Sequence, residues 1–396
     1  MVKIKAAVFM GMNPWRLSEI HDTVRFLAAA CTGVDRFYID PPRGLKGAVN
    51  DPAYLLGTTR WRQEDCDGIT VCAPPMGFAP VFLGLRKMAD GFAATKLDRM
   101  LQQLYGASWR EHTLLYISSW SYTQTNFIKK LQPKHLLFHI LDDSFAFPLI
   151  KDYPRVLAEN KFFYNYMMDK SSAVIAVSRE LSCKYSALYN RPVQVVKNGV
   201  NVEHFRRQGS LEPIAEMAGI PQPVLMYVGS INSWVDLPLL ISLADARPGY
   251  SLVLIGHYYE GTTDAGLWQE LLQKTNVYRL KSKPYASLPG YINYASALLL
   301  PRTDAEHSQA SDPLKLYEYL STGKPVVSTA LPAIDDFREF VYVSNHSDFA
   351  ATVDIALKER DPAMAGRQAK MMERHSWHAR VKEIGNILHT GSGISF

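Results

Sequence analysis

The sequence predicts an α/β protein made of two doubly wound parallel sheets, and three observations carry this. Short apolar runs alternate with longer helical patterns from end to end, the pattern of parallel strands joined by crossover helices. The alternation stops once, near Asn201–Pro213, in a polar, charged stretch, and starts afresh at Pro223. With 396 residues the chain is too long for one ordinary core and comfortable for two. The expected units are residues 1–205, 206–370 and a terminal helical segment 371–396.

In the first unit the strand candidates are Ile4–Met10, Phe37–Asp40, Ile69–Ala73, Leu114–Ser118, Leu136–Leu141 and Ala173–Val177. In the second they are Val224–Val228, Leu252–Ile255, Val277–Leu280, Ala297–Leu300, Val326–Thr329 and Val341–Val343. Ligands of such sheets bind beyond the carboxyl ends of the strands, so the cleft between the units is the expected site. In the tail, Ser376-Trp377-His378 opens a last amphipathic helix, expected to cross back onto the first unit.

Composition narrows the function. Apolar residues make up 47% and charged residues 20%, as in a packed globular protein. A net charge of +5 is too small at this length for a dedicated nucleic-acid binder, and suits a protein that handles diphosphates or touches an anionic surface. Cys31, Cys66, Cys72 and Cys183 lack zinc-site spacing and read as reduced thiols of a cytoplasmic protein. Met1–Met10 reads as a strand rather than a signal peptide. No run approaches the roughly 20 apolar residues that span a bilayer, so any membrane contact is expected to be peripheral. The stretch Pro74–Arg99, with Arg86, Lys87, Lys96 and Arg99, reads either as a surface helix of that kind or as an ordinary amphipathic core helix.

The strongest motif is Asp312–Thr329, DPLKLYEYLSTGKPVVST. Asp312 reads as the N-cap of a short helix Leu314–Thr322, with Pro313 where a missing N–H does no harm. Gly323 closes the helix and Pro325 stops it before the buried strand Val326–Thr329. Free N–H groups at the helix start attract an anion, and Lys315 and Glu318, three apart, share one face. This reads as a diphosphate held by the helix start and Lys315, with Glu318 accepting from ribose hydroxyls, or as a capped surface helix with an ordinary Lys–Glu pair.

These residues resemble the nucleotide-binding helix of GT-B glycosyltransferases, and other landmarks follow in order. They are Val177-Ser178, Asn198-Gly199-Val200-Asn201, Val228-Gly229-Ser230, Leu254-Ile255-Gly256, Pro284-Tyr285 and Leu288-Pro289. The resemblance implies two Rossmann-like domains facing a central cleft, and nucleotide-sugar contacts from Gly229, Ser230, Lys281, Arg302, Asp312, Pro313, Leu314, Lys315 and Glu318. Arg302 is read as assisting the leaving group or meeting a donor carboxylate. Many retaining members carry two glutamates eight apart; here the first position is Ala310, and Glu306 has the wrong spacing. In detail the chain resembles the glucuronosyltransferase of xanthan synthesis and the enzymes of teichuronic-acid-like polymers.

An inverting transfer needs a general base near the acceptor hydroxyl. Leu136–Phe147, LLFHILDDSFAF, delivers Asp142 and Asp143 to a strand end. In the xanthan-type enzyme an aspartate at this strand end is the base, which implies Asp142. Successive strand residues point oppositely, so Asp143 either meets the acceptor or secures the following loop and helix. Further acceptor candidates are Asn13, Trp15 and Arg16 in the loop after the first strand and His21 at the start of the next helix, with loop packing and a polar helix end as the plain alternatives. Asp65-Cys66-Asp67 resembles a metal motif of the other large glycosyltransferase fold, but Asp67-Gly68 reads as a hairpin turn. Leaving-group stabilisation is therefore given to Lys315 and the helix start, with no metal and no cofactor beyond a UDP-sugar donor.

The expectation is a metal-independent, inverting GT-B glycosyltransferase of the cytoplasm, with peripheral contact at the inner face of the cell membrane as the alternative. It would move a sugar, with glucuronic acid the first choice, from UDP to a cell-surface polysaccharide or a lipid-linked glycan precursor. The rivals are a retaining transferase, a nucleotide-sugar epimerase, and a non-catalytic sugar-nucleotide-binding subunit, the last suggested by Ala310.

Overall fold

The structure, a computed structural model, describes residues 2–16, 23–41, 61–74, 83–206, 214–359 and 362–395. Strands β1 (Val2–Lys3), β2 (Ala6–Met10), β3 (Asp35–Ile39), β4 (Arg62–Cys66), β5 (Ile69–Ala73), β6 (Thr113–Ser118), β7 (His135–Ile140), β8 (Ala173–Ala176) and β9 (Gln194–Val195) belong to the first half. The second half supplies β10 (Val224–Val228), β11 (Ser251–Ile255), β12 (Val277–Leu280), β13 (Ala297–Leu300), β14 (Val326–Thr329), β15 (Val341–Ser344) and, at the end, β16 (Ile394–Ser395). All twelve strands expected from the apolar runs are present within two residues of their expected ends. The other four, β1, β4, β9 and β16, are two residues long or strongly polar and give no apolar run.

The second sheet runs β12-β11-β10-β13-β14-β15, all parallel. Counting its strands from β10, this is the Rossmann order 3-2-1-4-5-6. The first sheet, β4-β5-β3-β2-β6-β7-β8-β9, repeats the plan, with β4 antiparallel to β5 at its edge. That hairpin turns on Asp67 (φ 53°) and Gly68 (φ 74°), both left-handed, and Asp65 accepts the Gly68 N–H at 3.2 Å. The aspartate pair is thus spent on a turn, as a type I′-like connection requires.

Burial on both faces explains why the central strands read as continuous apolar runs. In β10, Val224, Met226 and Val228 enter one apolar layer, while Leu225 and Tyr227 enter the other. The first domain has one contiguous core, and Ile384, Ile387 and Leu388 of the terminal helix belong to it.

That helix, Trp377–Ser392, is capped by Ser376, whose hydroxyl accepts the Ala379 N–H, and ends at Gly393 (φ 65°). Trp377 stacks on Phe26 of the helix Thr23–Ala30, with centroids 5.3 Å apart and planes at 19°. Beyond it β16 pairs in parallel with β1, so the chain crosses back and ties its end to its beginning. At the crossing, a Cβ on Gly199 would lie 2.8 Å from the Trp377 ring.

Among the described residues, no helix is long and apolar enough to cross a membrane. The helix Leu83–Tyr105 covers the described part of the basic, apolar stretch singled out above; it buries Ala93, Ala94, Leu97 and Leu101 and leaves Met88 and Phe92 exposed.

Candidate active site

Residues following the carboxyl ends of β2, β7, β10, β11, β12 and β13 converge on one cleft of about 530 Å³ between the domains. The first domain contributes Met12, Thr23, Leu141, Asp142 and Asn198. The second contributes Gly229, Ser230, Trp234, Gly256, His257, Tyr259, Ser282, Lys283, Arg302 and the run Ser311–Lys315 with Glu318. This is where two doubly wound sheets reverse strand order, the position at which such folds bind ligands.

The floor is backbone held unusually close. Gly229 (φ 140°) and Gly256 (φ 151°) end β10 and β11, and a Cβ on Gly256 would sit 2.1 Å from the Gly229 carbonyl oxygen. A Cβ on Gly229 would lie 2.4 Å from Lys315 Nζ. Only glycine meets both the torsion and the contact, and its absence of side chain leaves room for Lys315.

Lys315 stands in the first turn of the helix Leu314–Ser321. Its ammonium donates to Tyr227 Oη at 2.6 Å and lies 4.2 Å from that ring's centroid. Desolvation, and then the charge of Arg302, pull its pKa down to about 7. Glu318, one turn on and 5% exposed, faces the same cleft. Asp312 does not cap this helix. Pro313 is the N-cap residue, and Asp312 accepts from Asn198 N–H at 2.7 Å and from Tyr317 Oη. Asn198 also donates to the Asp312 carbonyl, accepts from Thr23 Oγ1, and through its own carbonyl accepts from Arg380. Asp312 is therefore a junction between both domains and the crossing helix, and burial lifts its carboxyl to about 6.

Arg302 is 4% exposed. Nη2 donates to Ser311 Oγ at 2.7 Å, the backbone is fixed on both sides by Thr329 Oγ1, and Cζ lies 5.2 Å from the Trp234 ring centroid. Across from it, Asp142 lines the first-domain wall and accepts from Trp120 Nε1 at 2.8 Å. Burial raises its pKa to about 6, against the opposing pull of that bond and of Arg302. A carboxylate so tuned suits general-base work near neutral pH.

Gly229, Ser230, Arg302, Asp312, Pro313, Leu314, Lys315, Glu318 and Asp142 are thus brought into one cleft. The remaining candidates are not. Lys281 is exposed and does not line it; Ser282 and Lys283 do, and Lys283 is paired with Glu216. Asp143 is fully buried, held by Lys184 at 2.6 Å and Tyr185 Oη at 3.2 Å, in the bend that follows β7, where its carbonyl accepts from Ala146 and Phe147 N–H. Trp15 packs edge-on against Tyr38, the Asn13 carbonyl accepts from Tyr38 Oη, and Arg16 reaches outward to Glu64. His21 lies outside the described residues. Gly256 and Asn198 stood among the sequence landmarks without an assigned role, whereas Trp120 and Trp234 were unanticipated and carried no local signal. Ala310 is buried with its carbonyl accepting from Ser178 Oγ, and Glu306 instead pairs with Lys184 across the domains. Among the described residues, no three His, Cys, Asp or Glu side chains converge as they do round a metal ion.

Residues 238–386 match the family described as Glycosyl transferase-like. A protein of Bacillus subtilis (strain 168), named as a teichuronic acid biosynthesis glycosyltransferase, TuaH, is 26% identical over 198 residues. That match covers 48% of this chain and 49% of that protein, so the chain spans about half the length of its curated relative. Trehalose-6-phosphate synthase of E. coli bound to UDP-2-fluoro glucose superposes with a TM-score of 0.68 at 11% identity, covering 97% of this chain and 98% of that one. A protein of Anabaena in complex with UDP and glucose gives 0.65 at 14% identity, covering 98% and 100%. The described residues have the GT-B fold, and residues 238–386 carry the glycosyl transferase-like signature.

Proposed function

We propose that this protein is a glycosyltransferase that moves a sugar from a UDP-sugar to a glycan acceptor, with inversion at the anomeric carbon and without a metal ion. The observation that carries the proposal is the division of the cleft. The second domain contributes two desolvated cations, two apposed glycine turns and Glu318; the first contributes a carboxylate with a pKa of about 6. Lys315 and the start of its helix suit a diphosphate, with the Gly229 turn giving it room, and Glu318 suits ribose hydroxyls. Asp142 would take the proton of the acceptor hydroxyl as it attacks the anomeric carbon from the face opposite the leaving diphosphate. Charge grows on that diphosphate in the transition state, where a preoriented cation is most effective.

The complexes with UDP-2-fluoro glucose and with UDP and glucose, both on this fold, support a UDP-sugar donor. The resemblance to the teichuronic acid enzyme supports a cell-surface polysaccharide, or its lipid-linked precursor, as acceptor and glucuronic acid as the sugar. A thermal-shift screen of nucleotide sugars tests the reading. UDP at about a hundred times its Kd should stabilise the fold by about 2.7 kcal/mol, and chelation with EDTA should not change that. Absence of a shift with UDP and with every UDP-sugar would remove the proposal.

A further inference from the structure

We propose that Arg302 selects a donor whose sugar bears a carboxylate, a hexuronate, by pairing its free guanidinium edge with that group; this rests on the reading of the cleft as a UDP-sugar site. The argument begins with charge that has nowhere to go. Apart from Lys315, which lies at the phosphate end, several cations around the interdomain region are matched: Lys184 by Asp143 and Glu306, Lys197 by Asp336, Lys283 by Glu216, Arg380 by Glu383. Arg302 is more deeply buried than any of these lysines, yet it forms no ion pair among the described residues. Its guanidinium makes one bond, to Ser311 Oγ, and its buried Nε has no partner. A buried cation without a counter-charge is costly unless a ligand supplies one.

Position decides which part of the ligand that is. Lys315 lies over the Gly229 turn, beside the helix start, at the phosphate end. Asp142 marks the acceptor end. Arg302 lies between, close enough to feel the charges of both Lys315 and Asp142, with its plane near the Trp234 indole. The sugar ring must bridge the diphosphate and the incoming hydroxyl, so Arg302 flanks the ring. The guanidinium fork matches a carboxylate, whereas a neutral hydroxymethyl group would leave the charge uncompensated. Ser311 fixes the fork, since its own hydroxyl donates to the Ser308 carbonyl.

The test compares UDP, UDP-glucose, UDP-glucuronate and UDP-galacturonate on the wild type, Arg302→Met and Arg302→Lys, by calorimetry and by donor turnover. The wild type should prefer a hexuronate to UDP-glucose. Arg302→Met should weaken that hexuronate by about tenfold to a hundredfold, the worth of a charged hydrogen bond, while UDP affinity stays within about twofold. Retained UDP affinity also reports an intact fold. Should the methionine variant not fold, Arg302→Lys, which keeps charge but not the fork, should narrow the hexuronate preference with UDP binding preserved. Equal weakening of all four ligands would make Arg302 a diphosphate ligand and overturn the inference while leaving the UDP-sugar reading intact. A wild-type preference for UDP-glucose would overturn it too. Failure of the wild type to bind UDP itself would instead refute the reading on which it rests.

Discussion

Binding of a UDP-sugar should be coupled to protonation of Lys315. Desolvation, reinforced by Arg302, holds this amine near pKa 7. Below that pH it is a cation and can meet a diphosphate directly. Above it the amine is neutral, and the bound anion must recruit a proton to restore the pair. If binding returns the amine to its ordinary range, affinity falls by a factor of 1 + 10^(pH − pKa), or about tenfold between about pH 6 and pH 8. At about pH 8 roughly nine-tenths of a proton should be taken up per molecule bound, and at about pH 6 only roughly one-tenth. A UDP-sugar is the right probe, because its phosphates are diesters with no ionisation in this window, unlike free UDP. Calorimetry in two buffers of different ionisation enthalpy reads the proton directly from the difference in heat. Asp142, at about 6, titrates at the edge of the window, so Asp142→Asn serves as the background. Lys315→Arg, a permanent cation, should flatten the dependence. Affinity constant within about twofold across this range, with no buffer dependence, would refute the assignment of Lys315 to the diphosphate.

Further outcomes follow from the same geometry. Asp142→Asn should keep donor affinity and lower transfer by about 10²–10⁴-fold, and wild-type kcat/KM should fall as pH drops through about 6, because a protonated Asp142 accepts nothing. The product's anomeric configuration, read by NMR, should be opposite to the donor's; retention would move the chain to the retaining mechanism. Glu318→Ala should weaken UDP by about tenfold to a hundredfold, from the loss of a charged acceptor, with an unchanged melting temperature; unaltered affinity would take Glu318 out of the site. Gly256→Ala should cost stability by about 1–3 kcal/mol, seen as a lowered denaturation midpoint, since its Cβ would strike the Gly229 carbonyl. A midpoint at the wild-type value would mean the two turns are not in contact.

Local chemistry made most of the fold legible. Strands buried on both faces announce themselves as apolar runs, so β10 through β15 could be read almost residue by residue. The helix carrying Lys315 and Glu318 was equally clear, because a proline start, a three-residue spacing and a closing glycine are short-range signals. Signals that span the chain were not. The amphipathic pattern after Ser376 gives a helix, but the surface it covers depends on Phe26, some 350 residues away, and on β1.

The sequence by itself determined that two parallel sheets exist, that a lysine and a glutamate share one face of a helix start, and that a strand delivers two adjacent aspartates to its end. Only the tertiary structure decided what each of them does. The bend after β7 leaves one aspartate in the cleft and buries its neighbour against Lys184 and Tyr185. Asp312, a helix cap by local grammar, is claimed by Asn198 from a segment more than a hundred residues earlier. Arg302 looks like any arginine after a strand until Trp234, Ser311 and the wall bearing Asp142 close around it. The reason is physical: hydrogen-bond valence and burial are properties of everything packed around an atom, and a chain brings most of those neighbours from far along its length.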